Sequence, residues 1–526
     1  MVNERIEKMN SKRVTALLTF LLLVVVNVSG YAQTIMYIPF DNRPVSLDYE
    51  VDTVTKGGFD ILVPPEDVLA NRTKSANPEV LWQWVFDHVN EANSIVVSAD
   101  ALIYGGLVGS RTHNLNDDVI LARTKNFEKL KEMNPSARIY VFSTIMRSPH
   151  ASAGGVEPPY YETYGPAIFQ INALNDKLEV QGLKPQEEQE LKKLTAEVPK
   201  EALNDWYARR EKNFKINVEL IHEAKKNIFA YLLIGRDDAS PFSRSHQESR
   251  WLSKESAGLP ASKYLSFPGA DQLGMVLLAR ASNDLNFKIP SIAIKYTQGV
   301  GDKTIPSYED VAIGETVRNH IVAVGGVPLL SDKNADMILA VHTPVDGWTR
   351  EAGNGANPQE ANPETVAFVQ EIKTNLLANK KVAVADIAFA NGSDNSFMTE
   401  MTKNKLVPKL ESYSGWNTAS NTIGYTIGQA VFAQRMTVTD KNSLLAARLL
   451  DDWAYQANIR SALLKNILVP QGHSDVQLNE LAPTLEAETE KQMNVFAKEN
   501  EDWFPLQKLK VSFPWNRMFE VKVKLQ

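Results

Sequence analysis

The sequence of 526 residues contains no cysteine. This absence excludes a disulfide framework, a thiolate nucleophile and a lipid-bearing cysteine at a cleavage point. Histidine is sparse as well: eight are scattered along the chain, and none forms a His-x-x-x-His or His-Glu-x-x-His arrangement. We therefore predict no metal ligands, although a metal site assembled through space stays open. A chain of this length with 44% apolar residues can be stabilised by its core alone.

Several other signatures are missing. The glycine spacing of a dinucleotide-binding turn, a phosphate-binding loop ending in Gly-Lys-Ser/Thr and a Gly-x-Ser-x-Gly elbow are all absent. The net charge is -7, and no long basic stripe is present. We therefore expect no cofactor, no nucleic-acid partner and no serine nucleophile of the elbow type.

The N-terminus has the order of an export signal. Basic residues precede an apolar run over 14–28, and small residues lead to Ala32. A transmembrane anchor is the alternative, but the run is interrupted and shorter than the roughly 20 apolar residues that a spanning helix needs. We predict a signal peptide over 1–32, a periplasmic or secreted protein, and no stable membrane anchor after cleavage.

The rest of the chain reads as α/β. Residues 33–288 alternate strand-like and helix-like segments, which indicates a TIM-barrel-like or open parallel βα domain with a helical insertion at about 164–228. Residues 289–440 predict a second, doubly wound α/β domain, which includes a strand at 321–324. Residues 441–526 predict C-terminal helices and a β-hairpin.

Polar residues follow the strand-like runs throughout. In parallel α/β folds ligands bind beyond the carboxyl ends of the strands, so this pattern indicates a site assembled from many loops. The strongest cluster is Asp237-Asp238, after the buried run 229–234. Adjacent carboxylates at a strand end point to different sides, so one can face a ligand while Arg236 or a backbone amide holds the other. The alternative is that the pair caps a helix that starts near Pro241.

Two further clusters follow the first strands. Asp41, Asn42 and Arg43 can bond to sugar hydroxyls, or Arg43 can bind an anion; the alternative is an ordinary turn. Asp100 follows a β-branched run, and Tyr104 precedes two glycines that allow a ligand close to the backbone. We predict that these residues bind substrate.

Later loops supply the remaining candidates, which are predicted to bind a small-molecule or glycan substrate. They are Arg147, Asp271, Asn391, Trp416 and Asn417. Trp416 can stack on a sugar face while Asn417 bonds to hydroxyls, and the alternative for Trp416 is a place in the core.

Several stretches together resemble a bacterial family defined as a domain of unknown function. They read IPFDNRPV from Ile38, DALIYGGLV from Asp100, RDD from Arg236, GADQ from Gly269, GWNT from Gly415 and FPWNR from Phe513. The resemblance covers nearly all of the chain after the predicted signal, and it implies no particular activity.

A shorter similarity concerns Asp237 and Asp238. The strand 229–234 with this pair is similar to that of hexosaminidases which use the substrate acetamido group as nucleophile. This similarity implies that Asp237 orients the acetamido group and that Asp238 protonates the leaving oxygen. The leading hypothesis is therefore an exported glycoside hydrolase with Asp237 and Asp238 as catalytic residues. A non-catalytic periplasmic binder and a metal-assisted hydrolase are the alternatives, and the oligomeric state stays open.

Overall fold

The computed structural model describes residues 33–152, 154–500, 503 and 508–525. The predicted signal peptide lies outside the described residues. Within them, no helix is both long enough and apolar enough to cross a membrane.

The first half of the chain builds an open parallel sheet. Its order is β2-β1-β3-β4-β5-β6, so β2 and β6 are its edges and the TIM-barrel alternative is not adopted. The inner strands are covered on both faces, which explains their continuous apolar runs. The strands are β1 Thr34–Ile38, β2 Asp60–Leu62, β3 Ser94–Ser98, β4 Arg138–Ile145, β5 Tyr231–Arg236 and β6 Tyr264–Pro268.

Helices connect these strands, and three of them form the insertion that was predicted at about 164–228. They are α1 Asp48–Lys56, α2 Pro78–His88, α3 Ala99–Tyr104, α4 Leu107–Thr112, α5 Asp117–Met133, the insertion helices α6 Tyr161–Gln181, α7 Pro185–Glu197 and α8 Lys200–Lys225, then α9 Arg244–Glu255 and α10 Leu273–Leu285. Local sequence explains where α2 begins, because the Asn77 side chain accepts the N–H of Glu79 and Pro78 occupies the first turn.

A second parallel sheet has the order β13-β11-β9-β7-β8. Counted along this sheet, its strands lie in the order fifth, fourth, third, first, second, which is a doubly wound order. Its members are β7 Ser291–Tyr296, β8 Val327–Leu329, β9 Met337–His342, β11 Val382–Asp386 and β13 Ser412–Ser414, while β10 Arg350–Glu351 pairs with β12 Phe389–Ala390 in a small separate sheet.

The predicted strand at 321–324 is wrong. These residues fall at the end of a helix, where Ile313, Val317 and Ile321 are fully buried at the i, i+4, i+8 spacing of one helical face. The short β-branched run 321–324 resembles a buried strand because four residues are too few for hydrophobic periodicity to distinguish a buried strand from a buried helix.

The remaining helices and the hairpin were largely predicted. The helices are α11 Ile313–Ala323, α12 Pro363–Leu377, α13 Asn395–Lys403, α14 Ala419–Ala433, α15 Val438–Arg448, its π-helical continuation Leu449–Ile459, α16 Arg460–Leu463, a second π-helical stretch Leu464–Leu468, and α17 Ala482–Asn500. The antiparallel hairpin consists of β14 Leu509–Ser512 and β15 Lys522–Leu525. Short 3-10 helices are Glu66–Val68, Val89–Glu91, Gly301–Lys303, Val407–Lys409, Val469–Gln471 and Asn479–Leu481.

One buried cluster joins the two sheets through α10 and α14. These helices pack very closely: a Cβ at Gly424 would lie 2.3 Å from Cγ of Gln272, and one at Gly428 would lie 2.4 Å from Cγ of Met275. The close approach holds the two sheets against each other, so that loops beyond the carboxyl ends of both sheets reach a common space.

Candidate functional site

A cavity of about 870 Å³ lies between the two sheets. Loops after β4, β5 and β6 supply one wall, loops after β9, β12 and β13 supply another, and residues of the hairpin loop complete it. Its volume suits a ligand of the size of an oligosaccharide. Of the predicted site residues, seven line it: Arg43, Arg147, Asp237, Asp238, Asp271, Asn391 and Asn417.

Asp237 and Asp238 are held by two different arginines. Asp237 Oδ2 accepts a bond of 2.6 Å from Arg111 Nη2, and Asp238 Oδ2 accepts one of 3.1 Å from Arg147 Nη1. Asp238 has φ of +38°, a left-handed conformation that is uncommon for residues other than glycine and asparagine. Arg236, which was expected to hold one of the pair, bonds instead to Asp310 at 2.7 and 3.1 Å.

The capping alternative for this pair does not apply. Helix α9 begins after Ser243, whose Oγ accepts the N–H of His246. The carboxylates of Asp237 and Asp238 are therefore free of that task and belong to the cavity wall.

Burial raises the pKa of Asp238 from 3.8 to about 6, with the neighbouring charge of Asp237 as the next cause. The positive charges of Arg147 and Arg111 act in the opposite direction. The side chain keeps 25% of its exposure, so a ligand in the cavity can reach it. A carboxyl group with this pKa is about half protonated near pH 6 and still protonated in part of the molecules at neutral pH, which suits general acid catalysis.

Arg147 is itself fixed by Glu157, which sequence analysis did not single out. Glu157 Oε1 accepts a bond of 2.6 Å from Arg147 Nε and a second bond from Nη2. The same carboxylate lies 4.0 Å from Arg111 Nη1. Glu157 therefore contacts both arginines that hold the Asp pair.

Arg43 ties three loops of the wall together. Its Nε and Nη2 bond to Asp41 at 2.9 and 3.0 Å, and Nη2 also bonds to Asp271 at 2.7 Å. Asn417 donates to the second oxygen of Asp271 at 3.2 Å. Asp41 is buried behind Arg43, and Asn42 accepts the indole N–H of Trp515 at 2.9 Å. Neither Asp41 nor Asn42 lines the cavity, so both act on it through their neighbours.

Three more predicted residues lie outside the cavity wall. Asp100 is buried and accepts both the amide and the hydroxyl of Thr144, at 3.0 and 2.8 Å. Burial raises its pKa to about 6. Tyr104 stacks on His113 with ring centroids 4.7 Å apart. Trp416 is 1% exposed and packs in the core that joins the sheets, which is the alternative considered for it.

The cavity also contains residues that the sequence pattern did not mark. Tyr308, at φ of +68°, donates to Glu351 at 2.7 Å, and Asn391 donates to the other oxygen of Glu351 at 2.8 Å. Glu309 accepts the N–H of Ser420 at 2.5 Å, and burial raises its pKa to about 7. A left-handed tyrosine has no sequence signal. Further unmarked lining residues are Arg111, Trp348, Arg460, Trp515, Arg517 and Phe519.

No metal site is evident within the described ranges, since no three or more His, Asp or Glu residues are grouped there in a way that could hold an ion.

The family model "Protein of unknown function (DUF4127)" matches residues 35–524. The chain belongs to this family. The match confirms the resemblance that the sequence motifs indicated, and it includes both sheets and the hairpin. No curated protein and no solved structure matches the chain significantly. Because the description of the DUF4127 family names no activity, function has to be argued from the cavity.

Proposed function

We propose that this protein is an exported glycoside hydrolase in which Asp238 is the general acid. The observation that carries the proposal is the adjacent carboxylate pair in one cavity, each member paired with a different arginine. Two carboxyl groups with different surroundings can take different protonation states, which is what acid–base cleavage of a glycosidic bond requires.

The two carboxyl groups divide the work. Asp238 is accessible from the cavity, and its raised pKa keeps a proton available. Asp237 is 8% exposed and is held by Arg111 in an ion pair of 2.6 Å. A fixed carboxylate beside the reaction centre can orient the 2-acetamido group of a sugar and balance the positive charge that develops at the ring.

The chemical steps follow from these roles. Asp238 gives its proton to the glycosidic oxygen as the bond from that oxygen to the anomeric carbon breaks. The acetamido oxygen, oriented by Asp237, forms a bond to the anomeric carbon in its place. Water then attacks that carbon, Asp238 accepts a proton from the water, and the acetamido group is released. Both carboxyl groups end in the state in which they began.

The rest of the wall can bind sugars. Trp348 is 70% exposed and Tyr308 is 40% exposed at the cavity, so both rings are open to stacking on a sugar face. Asn391 and Asn417 add amide groups that can bond to hydroxyls. Aromatic faces beside a few directed polar groups are typical of carbohydrate sites.

The replacement Asp238→Asn tests the proposal. The purified protein is assayed on fluorogenic methylumbelliferyl glycosides with and without a 2-acetamido group, and on bacterial cell-wall glycans with products read by mass spectrometry. We expect cleavage by the wild type and a loss of roughly a hundredfold or more in the variant, which is the usual contribution of a general acid. Asp118→Asn, in an exposed Asp-Asp pair of α5, is the matched control and should keep full activity.

Two results would oppose the proposal. Full activity of Asp238→Asn would remove the acid role. Binding of a sugar by both forms with no cleavage by either would favour the alternative, a non-catalytic binder with its ligand between the two sheets.

A further inference from the structure

Three arginines and two aromatic rings alternate along one wall of the cavity, and we call this set the arginine ladder. Its members in spatial order are Arg43, Trp515, Arg517, Phe519 and Arg460, and all five line the cavity. The successive distances from guanidinium carbon to ring centroid are 5.0, 5.0, 5.6 and 4.9 Å. The proposed cleavage chemistry uses none of these residues except Arg43, which orders the loops.

We propose that the arginine ladder is an anion subsite, and that the substrate of this cavity is an acidic glycan whose carboxylate or phosphate groups bind Arg517 and Arg460. That the ligand is a glycan and a substrate rests on the proposed function, whereas the anion subsite itself rests on the contacts of the two arginines.

Stacking leaves the edges of the guanidinium groups available. Arg517 directs Nε and Nη2 to Glu520, which holds the group in place. In the described part of the chain, Nη1 of Arg517 has no hydrogen-bond acceptor, and neither do Nε and Nη2 of Arg460. Each of the two arginines therefore has unused donors that can bind two oxygens of a carboxylate or of a phosphate.

Arg460 is not closely paired with its neighbouring carboxylate. Arg460 Nη2 lies 3.8 Å from Asp475, beyond hydrogen-bond distance, and both side chains are partly exposed. Arg72 lies next to the ladder, and within the described residues it bonds to the main-chain carbonyls of Gly154, Val476 and Trp515. Burial lowers the pKa of Arg72, and the positive charge of Arg517 acts in the same direction, whereas the charge of Glu520 opposes it.

The ladder is also held rigidly, which lowers the entropic cost of binding. Trp515 is 4% exposed, and its indole N–H donates to Asn42 at 2.9 Å. Arg43 is fixed by Asp41 in its own loop and by Asp271 in the loop after β6. The FPWNR segment therefore joins the hairpin to the first sheet and presents its arginine to the cavity.

Binding of defined sugars tests the inference. Isothermal titration calorimetry compares trigalacturonate with its fully methyl-esterified form, and N-acetylglucosamine phosphate with N-acetylglucosamine, with inorganic phosphate as a third arm. We expect at least one acidic sugar to bind about tenfold or more tightly than its neutral counterpart, and this preference to weaken at high salt. The first two arms separate carboxylate from phosphate recognition.

Variants of the ladder connect the preference to the arginines. Arg460→Gln, a partly exposed residue, should lower affinity for the acidic sugar about tenfold and leave the neutral sugar unchanged. Arg517→Lys keeps the charge but loses the planar fork, so it should also weaken binding. Arg435→Gln is the matched control, because Arg435 stacks on Phe59 at 4.7 Å away from the cavity. Thermal melts show that each variant is folded.

Equal binding of charged and neutral sugars, unchanged binding by both variants, or inorganic phosphate binding as tightly as the acidic sugars would overturn the inference. Cleavage of neutral glycosides without any charge preference would leave the proposed hydrolase intact and remove only the subsite. Conversely, charge-dependent binding without cleavage of any glycan would support the subsite and oppose the hydrolase.

Discussion

Two neighbouring aspartates with the same side chain differ in what surrounds them. Asp237 is closely paired with Arg111 at 2.6 Å, whereas Asp238 has a longer contact with Arg147 and a pKa raised to about 6. A single residue step along the chain therefore separates a carboxylate paired closely with an arginine from one whose pKa is raised by burial. This division is set by side chains from distant loops, since Arg111 is 126 positions away from Asp237.

Glu50 is another carboxyl group whose surroundings change its pKa, and no ligand site is evident beside it. It is fully buried in α1, and neither carboxylate oxygen has a hydrogen-bond partner in the described structure. Burial raises its pKa well above 4.5; the nearby Tyr37 hydroxyl and Arg43 oppose this rise, whereas the charges of Asp271 and Asp41 add to it. The protonated form is therefore the one that the fold favours.

The replacement Glu50→Gln tests this assignment through stability. A raised folded-state pKa means that wild-type stability is complete below the unfolded value and falls as pH rises towards the folded value. The Glu50→Gln variant lacks this loss. Its free energy of unfolding should therefore be nearly equal to that of the wild type at about pH 4, exceed it above about pH 4.5, and be roughly 1–3 kcal/mol higher at about pH 8.

Denaturant unfolding at several pH values measures the Glu50 effect. Asp52→Asn in the same helix is the control, because that side chain is 61% exposed and should show no such trend. A pH-independent difference between Glu50→Gln and the wild type would show that Glu50 is not neutral in the fold.

At the scale of elements, local signals predicted most helices and strands. Asn362 and Pro363 begin α12, where the Asn362 side chain accepts the N–H of Thr365 and Pro363 occupies the first turn. The buried strands β3 and β5 were recognisable as apolar runs that end in polar residues. The prediction of a strand at 321–324 was wrong because four β-branched or small residues fit a buried helix face equally well.

The loops explain why the candidate site was predicted only in part. Asp237, Asp238 and Arg43 follow buried strands, and strand ends are where ligands bind in such folds. Trp416 follows a strand as well, but its large apolar surface is buried between α14 and the hairpin loop. Arg111 and Glu157 come from a helix and a loop that follow no such pattern, so only tertiary contacts reveal them.

The loop after β9 presents Trp348 to the cavity, and Trp348→Ala tests its role. We expect affinity for triacetylchitotriose to fall about three- to tenfold, because stacking of an aromatic ring contributes roughly 0.5–1.5 kcal/mol. Stability should stay within about 0.5 kcal/mol, since the side chain is 70% exposed.

Calorimetric titration and thermal melts measure the two quantities for Trp348. Leu330→Ala removes another exposed apolar side chain, outside the cavity, and should change neither. Unchanged sugar affinity in Trp348→Ala would show that the ring does not contact the ligand.

The whole molecule was predictable as two α/β parts with C-terminal helices, but the way in which they meet was not. Strand order follows from no local signal; it is a consequence of which apolar faces cover each other. Here α10 and α14 share one buried cluster with both sheets. The cavity exists because that contact brings two sets of strand ends together.

If α10 and α14 couple the two sheets, the chain should unfold in one cooperative transition. Gly424→Ala places a Cβ 2.3 Å from Gln272 Cγ across this contact, which forces the helices apart. We expect the variant to lose about 1–3 kcal/mol and still show a single transition at lower temperature by differential scanning calorimetry. Gly353→Ala, whose Cβ would meet only ordinary contacts from 3.5 Å, is the control. Two separate transitions, in the wild type or in Gly424→Ala alone, would mean that the sheets fold independently and that the helix contact does not hold the cavity together.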